Sequence, residues 1–244
     1  MRIALTITEL DPGGAEQCLV QLALFLTRRG HDVVVLSLGR TPKISLGNSP
    51  DRGRLVRLLD AAHILTRCCG ATTSLALPGA IRWLRRELSN FQPDIVQSML
   101  FHANVVTAAA SQKLSGLHFG GQRVREVDWM RGRLTRWSAR RMEKLVCVSQ
   151  SVAEDCQHRL SIARDKLVVI PNGILIGASP EITQGEFNES DLTRLWPRKL
   201  PAELLNDKAR LLLFAGRLSE QKGILPLLVN LEQLLVDFPD PHLV

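Results

Sequence analysis

The sequence predicts an α/β fold in which helices cover a doubly wound parallel sheet. Apolar runs of strand length alternate with longer segments whose apolar residues recur every three or four positions. The strand-like runs are rich in valine, isoleucine and leucine, as is typical of strands buried on both faces. Such an alternation favours parallel strands joined by crossover helices. The 244 residues are enough for one large domain or for one domain and part of another.

The chain opens with a strand, a glycine-rich turn, a helix and a second strand. The run RIALTITEL leads into the turn DPGG, and apolar residues then recur at helical spacing from Ala15 to Leu26. Gly30 supplies the signal that ends a helix. The run HDVVVLSL follows as a buried strand. This order predicts a βαβ unit at the start of the chain.

The same alternation continues through the middle of the chain. Residues 41–70 are irregular, and part of them fits a further strand. Ser151 and Glu154 have the spacing of a capping box at the start of a helix. The sequence predicts strands at PDIVQSML, LVCVS and KLVVI, and helices at 77–88, 103–114 and 131–144.

The composition changes after the turn PNG. Residues 174–209 contain prolines and polar residues with weaker periodicity, which predicts a linker with a short helix. A strand at 211–215 and a helix at 223–237 follow, and we interpret them as the first βα unit of a second domain. The predicted organisation is a domain at 1–175, a linker at 176–209 and an incomplete domain at 210–244.

The charge of the chain favours anionic partners. The net charge is +7, which suits phosphorylated ligands, membrane surfaces or nucleic acid. Two predicted helices are basic: one carries Arg82, Arg85 and Arg86 beside Trp83, and the other is the segment 131–144, which contains Trp137. They are either solvated helix faces or helices at a membrane surface. Nucleic-acid binding is disfavoured because no recognised binding module accompanies the charge.

Several classes of protein are excluded by missing patterns. The five cysteines form no CxxC pair, and the N-terminus is too short and too polar for a signal peptide. No apolar run reaches the roughly 18 residues that a membrane span needs. These features predict a cytoplasmic protein. If its basic helices act at a membrane surface, that surface would be the inner face of the membrane.

Motifs of other enzyme classes are also missing. The sequence contains no Walker A motif, and no GxGxxG follows the first strand. A third hypothesis, a nicotinamide-binding protein, is therefore disfavoured. No Asp-x-Asp, HExxH, zinc-ligand spacing or GxSxG occurs, so no metal site is predicted.

Three turns at the predicted carboxyl ends of strands carry candidate site residues. Gly13 and Gly14 would let the backbone approach a ligand at a helix N-terminus, or they form a tight turn that packing requires. His102 would face the cleft directly, or it is a structural histidine. In the last turn, Gly216 allows the chain to turn tightly after the strand, and the cations Arg217 and Lys222 follow. These two cations either bind a diphosphate or belong to a solvated basic loop.

Four segments follow one another along the chain: DPGGAEQCLVQLALFLTRRGHDVVVLS, LVCVSQSVAEDC, KLVVIPNGI and LLFAGRLSEQKGILPLL. Singly each segment is modest, but their order and separation are specific. Together they resemble the family 4 glycosyltransferases of GT-B fold. The resemblance covers nearly the whole chain and is weakest at 41–70 and 177–205.

The resemblance implies two Rossmann-like domains that face a cleft. The N-terminal domain would bind a glycan or lipid-linked acceptor, and the C-terminal domain would bind a nucleotide-diphospho-sugar, the co-substrate. Transfer would retain the anomeric configuration and would need no metal or other cofactor. Gly13 and Gly14 would contact the donor phosphate or the acceptor. Arg217 and Lys222 would hold the donor diphosphate, and His102 would match a catalytic histidine near the transferring sugar.

The second Rossmann-like domain is expected to be truncated. Members of the family carry a glutamate pair late in that domain, and this sequence has no such segment. The strand at 211–215 is then expected to lack a parallel neighbour in the chain. Two hypotheses follow: a glycosyltransferase of hexosyltransferase type, or a non-catalytic acceptor-binding remnant. In the second, a partner chain could complete the donor domain.

Overall fold

The computed structural model describes residues 1–41, 53–71, 76–112, 114–125, 128–173, 210–212, 214, 216, 222–231 and 241–243. The chain divides into two compact units, Met1–Leu175 and Ile176–Val244. The predicted linker at 176–209 lies outside the described residues.

The first unit is built on a parallel sheet of seven strands. The strands are β1 (Arg2–Ile7), β2 (Asp32–Ser37), β3 (Leu65–Cys68), β4 (Ile95–Met99), β5 (Leu117–Gln122), β6 (Lys144–Cys147) and β7 (Leu167–Val169). Their order in the sheet is β3-β2-β1-β4-β5-β6-β7, and every neighbouring pair is parallel. The strand order reverses between β1 and β4, which makes this position the topological switch point of the sheet.

Helices cover the sheet on both faces. They are α1 (Gly14–Arg28), α2 (Arg54–Ala61), α3 (Leu77–Phe91), α4 (Phe101–Ala110), α5 (Trp129–Ala139) and α6 (Gln150–His158), and a 3₁₀ turn spans Arg164–Lys166. Successive side chains of a strand point to opposite faces. Ile3 and Leu5 of β1 accordingly pack with α1 and α2, whereas Ala4 packs with α3 and α4. The predicted doubly wound α/β fold is confirmed.

A third apolar cluster lies at the β6–β7 end of the sheet. Leu145 and Cys147 of β6 and Leu167 of β7 are buried against Ala153 and Cys156 of α6. The contact between the two thiols lowers the pKa of Cys147, and together with burial it raises the pKa of Cys156. The Cys147 thiol donates to the Leu145 carbonyl oxygen at 3.8 Å. Both thiols are buried and belong to the apolar core.

β5 is a strand that the sequence analysis missed. Its sequence, LHFGGQ, contains Gly120 and Gly121, and glycine weakens the sequence signal of a strand. Packing explains both glycines. A Cβ on Gly120 would overlap the Met142 sulfur, and one on Gly121 would lie 3.2 Å from the Ser98 carbonyl oxygen. The neighbouring elements occupy the space that side chains would need.

Some predicted element boundaries and one predicted cap are wrong. The basic helix predicted at 131–144 is α5, which ends at Ala139, and Lys144 already begins β6. The cap of α6 is Ser149 and not Ser151, because the Ser149 hydroxyl accepts a hydrogen bond from the Val152 N–H. The irregular range 41–70 contains α2 and β3, and residues 42–52 lie outside the described part of the chain.

The second unit is described in three short elements. They are β8 (Arg210–Leu212), α7 (Ile224–Val229) and β9 (Pro241–Leu243). β8 pairs in parallel with β9, from Arg210 with Pro241 to Leu212 with Leu243. The expectation that the last predicted strand lacks a parallel neighbour is therefore wrong, because the final residues of the chain supply one. Ala215 and residues 232–237 of the predicted elements lie outside the described residues.

Two glycine-to-alanine substitutions should change stability in opposite directions. A Cβ on Gly116, just before β5, would overlap the Pro93 carbonyl oxygen and lie 3.2 Å from the Asp94 carbonyl oxygen. Because both are backbone atoms, Gly116→Ala should lower the free energy of unfolding by about 1–3 kcal/mol.

Gly79 lies in α3 with no described atom within 4 Å of its added Cβ. Gly79→Ala should therefore raise that free energy by about 0.5–1 kcal/mol. Urea denaturation measures both, and equal stability of the two variants would refute the packing argument.

Candidate functional site

The candidate site lies at the carboxyl ends of β1 and β4. These strands are neighbours in the sheet, paired from Ile3 with Ile95 to Ile7 with Met99. β1 leads into the loop that contains Gly13 and Gly14, and β4 leads into Leu100 at the start of α4. The helices that follow these two strands pack on opposite faces of the sheet, which opens a crevice between the loops.

The surroundings of Gly13 and Gly14 differ: Gly13 is closely packed, and Gly14 faces open space. Gly13 is the N-cap of α1 in an extended conformation, and a Cβ there would overlap the Glu16 carboxylate. Glu16 is 7% exposed, so its carboxylate is confined and Gly13 is required for packing. Around Gly14, in contrast, no described atom lies within 4 Å of an added Cβ. Gly14 therefore borders open space at a helix N-terminus, where backbone N–H groups favour an anion.

The turn after β4 is strained. Leu100 adopts φ 75° and ψ 155°, a combination that L-residues other than glycine rarely take and that costs about 1–3 kcal/mol. Phe101 and His102 follow at once in the first turn of α4, with ring centroids 5.1 Å apart in an edge-to-face arrangement. Such strain persists where the surrounding structure fixes the backbone, and it is characteristic of functional sites.

A buried hydrogen-bond network holds this turn in place. The Ser98 hydroxyl of β4 donates to Asn104 Oδ1 of α4 at 2.7 Å and lies 2.9 Å from His118 Nε2 of β5. Asn104 Nδ2 in turn donates to the Gly121 carbonyl at 3.0 Å. The network thus joins β4, α4 and β5 beside the turn at Leu100, which leads into His102. Its three side chains are at least 96% buried, so the bonds are shielded from water.

The proton positions in this network follow from the donor count. Ser98 has one hydroxyl proton and gives it to Asn104, so the proton between Ser98 and His118 must sit on His118 Nε2. His118 Nδ1 is then an unprotonated, buried atom with no hydrogen-bond partner among the described residues. A second proton would have to occupy this dry position. Burial accordingly lowers the pKa of His118 to about 4.

His102 is half-buried between groups of opposite charge. Burial lowers the pKa of His102, the positive charge of Arg131 lowers it further, and the negative charge of Glu9 opposes them. Arg131, near the start of α5, also lies over the Phe101 ring with its Cζ 5.1 Å from the centroid. The lowered pKa favours the neutral imidazole near neutral pH. A neutral imidazole can accept one hydrogen bond and donate another, which suits contact with a hydroxyl.

A cavity of about 550 Å³ extends along the same edge of the sheet. It runs below the carboxyl ends of β4 to β7 and is closed on one side by the outer face of α1. The lining is mainly apolar, which is typical of pockets for organic ligands. The residues that line it include Leu22, Phe25, Met99, Gln122, Arg123, Ile170 and Asn172.

Arg123 is the residue of this cavity that the sequence analysis missed. Its guanidinium donates to Asn172 Oδ1, in the turn after β7, and its Nη2 lies 3.5 Å from the Met99 sulfur. Its Nε is buried with no hydrogen-bond partner among the described residues. Arg123 therefore places a cation in an apolar pocket beside the candidate site. Its position one residue after a strand would have indicated this role, but the glycines of β5 concealed that strand.

The second unit contains the other predicted site residues. Gly216 and Lys222 lie close together, because an added Cβ on Gly216 would be 3.8 Å from Lys222 Cγ. Both residues are exposed. Arg217 lies outside the described residues.

Two further observations concern metals and membranes. Within the described ranges, no three His, Cys, Asp or Glu side chains are grouped so as to hold a metal ion. Among the helices of the same ranges, none combines the length and the apolar character needed to cross a bilayer.

Comparison with known proteins assigns the family. The profile of Glycosyltransferase Family 4 matches residues 12–176, which is well over half of the chain. This chain belongs to that family. The resemblance seen in the four sequence segments is thereby confirmed. A search of curated protein sequences finds no match.

Solved GT-B glycosyltransferases share the fold. A glycosyltransferase from Rickettsia africae has 18% identity and a TM-score of 0.67, with 96% of this chain and 57% of that chain covered. HepE from Anabaena, in complex with UDP, has 20% identity, a TM-score of 0.66 and coverages of 96% and 58%. Sucrose-phosphate synthase from Thermosynechococcus elongatus has 16% identity, a TM-score of 0.68 and coverages of 99% and 61%. The chain thus spans about three fifths of these proteins.

Protonation of His118 should make the family 4 chain less stable in mild acid. The pKa of His118 is about 4 in the folded state, against an ordinary value of 6.5, so the unfolded state binds the proton more tightly. The contribution of neutral His118 to the free energy of unfolding is fully present above pH 6.5. It is lost as the pH is lowered towards 4, and the total loss is roughly 3 kcal/mol. Urea denaturation at several pH values measures this loss.

His118→Gln should remove most of that pH dependence, because its amide does not titrate. The exposed His158→Gln is the matched control and should keep the behaviour of the parent. A parent and a His118→Gln variant with the same slope of stability against pH would contradict the assignment.

The pKa of His102 should respond in opposite directions to two charge removals. Arg131→Gln takes away a nearby positive charge and should raise the pKa of His102, whereas Glu9→Gln should lower it. NMR titration of the histidine ring signals measures both shifts, with His102→Gln used to assign the resonance. Shifts of the same sign in both variants would show that the charges do not act on His102 as described.

Proposed function

We propose that this family 4 protein transfers a sugar from a nucleotide-diphospho-sugar to a glycan or a lipid-linked acceptor. Transfer would retain the anomeric configuration and would use no metal or other cofactor. The observation that carries the proposal is the crevice between the two loops that follow β1 and β4 at the switch point of the sheet. Gly14 follows β1 and borders open space at a helix N-terminus. His102 follows the neighbouring strand β4, and its lowered pKa favours the neutral imidazole.

Each part of this edge would have a distinct task. The N-terminus of α1 at Gly14 would face a phosphate or an acceptor hydroxyl, because its N–H groups point out of the helix. His102 would contact the transferring sugar or the attacking hydroxyl through the hydrogen bonds of its neutral ring. The strained Leu100 and the Ser98 network would position His102 without touching the substrate.

The nucleotide-sugar donor is supported by the neighbours and by the second unit. HepE from Anabaena has been crystallised with UDP and with UDP-glucose, and its fold is shared by this chain. In this chain the loop at Gly216 and Lys222 offers an exposed cation beside a residue without a side chain. With Arg217 it would neutralise the donor diphosphate and the charge that develops on the leaving group.

Nucleotide release in the presence of a sugar donor tests the proposal. The chain is incubated with UDP-glucose and then with a panel of other nucleotide sugars, with and without glycan and lipid-linked acceptors. Arg217→Ala and Lys222→Ala should each lower the rate by about a hundredfold, because each removes charge stabilisation from the leaving diphosphate. Lys144→Ala is the matched control, since it removes one exposed cation at the amino end of β6, where none of the candidate site residues lies.

The outcomes separate the two hypotheses. Release that depends on Arg217 and Lys222, with the control unchanged, supports the enzyme. No release by the parent chain with any donor would refute the catalytic proposal for this chain and favour an acceptor-binding protein. A loss that is equal in all three variants would show that general charge, and not the loop at 216–222, drives the signal.

A further inference from the structure

The outer face of α5 combines exposed apolar side chains with a dense set of arginines. Trp129 is 68% exposed, Met130 60% and Leu134 38%. Between and beside them, Arg133, Arg136 and Arg140 are also exposed. We call these six residues the α5 surface. They share one side of the helix because they recur at spacings of three and four, while Gly132, Thr135 and Ser138 on the other side are buried.

One arginine of this surface lies over its tryptophan ring. The Arg133 guanidinium lies over the Trp129 ring, 4.9 Å from its centroid, and the same arrangement recurs just beyond, where Arg141 lies 4.1 Å from the Trp137 centroid. Each of these two cations thus lies within cation–π distance of an aromatic ring. A monomeric soluble surface rarely exposes a tryptophan, a methionine and a leucine side by side, so this group marks an interaction site.

We propose that the α5 surface docks the protein on an anionic lipid bilayer. Large apolar side chains among arginines are the composition of a helix that lies in a membrane interface. The apolar groups would enter the headgroup region, and the arginines would stay at the level of the lipid phosphates. The sequence of α5 contains no acidic residue, so nothing on the helix itself repels an anionic surface. Each arginine near such a surface strengthens binding by about fivefold.

The structure separates α5 from the other basic helix. In α3, Trp83 packs against the apolar core. Arg85 donates to the carbonyls of Ala109 and Ala110, and Arg86 is paired with Glu87. These side chains of α3 are therefore occupied by intramolecular contacts. Of the two basic helices predicted from the sequence, α5 is the one whose aromatic and cationic groups are both presented to solvent.

A nucleic acid would fit this surface less well. Its phosphates could use the arginines, but one face of the Trp129 ring is already covered by Arg133 and is closed to a stacking base. Met130 and Leu134 offer nothing to a base edge or a phosphate. An anionic bilayer fits both kinds of side chain, because its headgroups can bind the arginines and its apolar interior can take up Trp129, Met130 and Leu134.

The docked protein would hold the candidate site close to the lipid headgroups. Arg131, near the start of α5, lies over Phe101 and acts electrostatically on His102. An acceptor anchored in the membrane would then reach the candidate site from the lipid surface, and this consequence rests on the proposed function. Docking itself does not, and it is measured without any sugar transfer.

Co-sedimentation of the full chain with vesicles tests the docking. Vesicles of phosphatidylglycerol and phosphatidylcholine in equal parts should bind the chain at least about tenfold more tightly than phosphatidylcholine alone. Arg136→Gln combined with Arg140→Gln should weaken that binding by about tenfold or more. The matched control is Arg82→Gln combined with Arg86→Gln, which removes the same charge from α3 and should leave binding within about twofold of the parent. Circular dichroism verifies that all variants are folded.

The apolar contribution is measured separately. Lipids brominated on their acyl chains should quench the tryptophan fluorescence of the parent, and Trp129→Phe should lose most of that quenching. Met130→Ser combined with Leu134→Ser keeps every charge and should still weaken vesicle binding by several-fold.

Three results would overturn the proposal. Equal binding to both kinds of vesicle would exclude recognition of anionic lipid. An equal loss of binding in the α3 control would show that net charge alone acts. Retained vesicle binding by the α5 variants, together with lost binding to a single-stranded RNA oligonucleotide, would identify a nucleic-acid surface instead.

Discussion

The first unit depends on the central position of β1 between β2 and β4. All six of its residues pair with β2, and five of them, Ile3 to Ile7, also pair with β4. Its side chains contribute to the apolar clusters of both sheet faces. Parallel pairing brings the carboxyl ends of all seven strands to one edge, since every connection must cross back over a face. The reversal of strand order beside β1 then leaves two loops diverging at its end. The glycines at the start of α1 and the histidine of α4 lie at the same edge of the sheet because of that topology.

Much of this arrangement can be predicted from the sequence, because burial leaves a pattern in it. β1 and β2 are buried on both faces, so they are continuous apolar runs, and α1 shows a helical stripe next to them. The site residues Gly14 and His102 were predicted because they follow such runs directly. In the same way, Arg131 and Trp137 were recognised as part of a basic helix, although the helix ends five residues before its predicted boundary.

The features that escaped prediction are set by tertiary contacts. β5 has two glycines because Met142 and the Ser98 carbonyl occupy the space above them, and no local pattern contains that information. Arg123 escaped together with the strand that positions it. The bond between Ser98 and His118 joins residues 20 positions apart, and the strain at Leu100 is visible only in the backbone angles. The cap of α6 was assigned two residues late because Ser149 and Ser151 are both suitable caps, and only the backbone conformation selects Ser149.

The close approach of Met142 to Gly120 limits how this sheet can vary during evolution. The thioether fills the volume that a side chain at position 120 would need, and Leu145 restricts the same space from the other side at 3.0 Å. Neither position can therefore change alone without a clash or a void. In homologous chains that keep this packing, a larger residue at position 120 requires a shorter one at position 142. The two sites should covary although 22 residues separate them in the sequence.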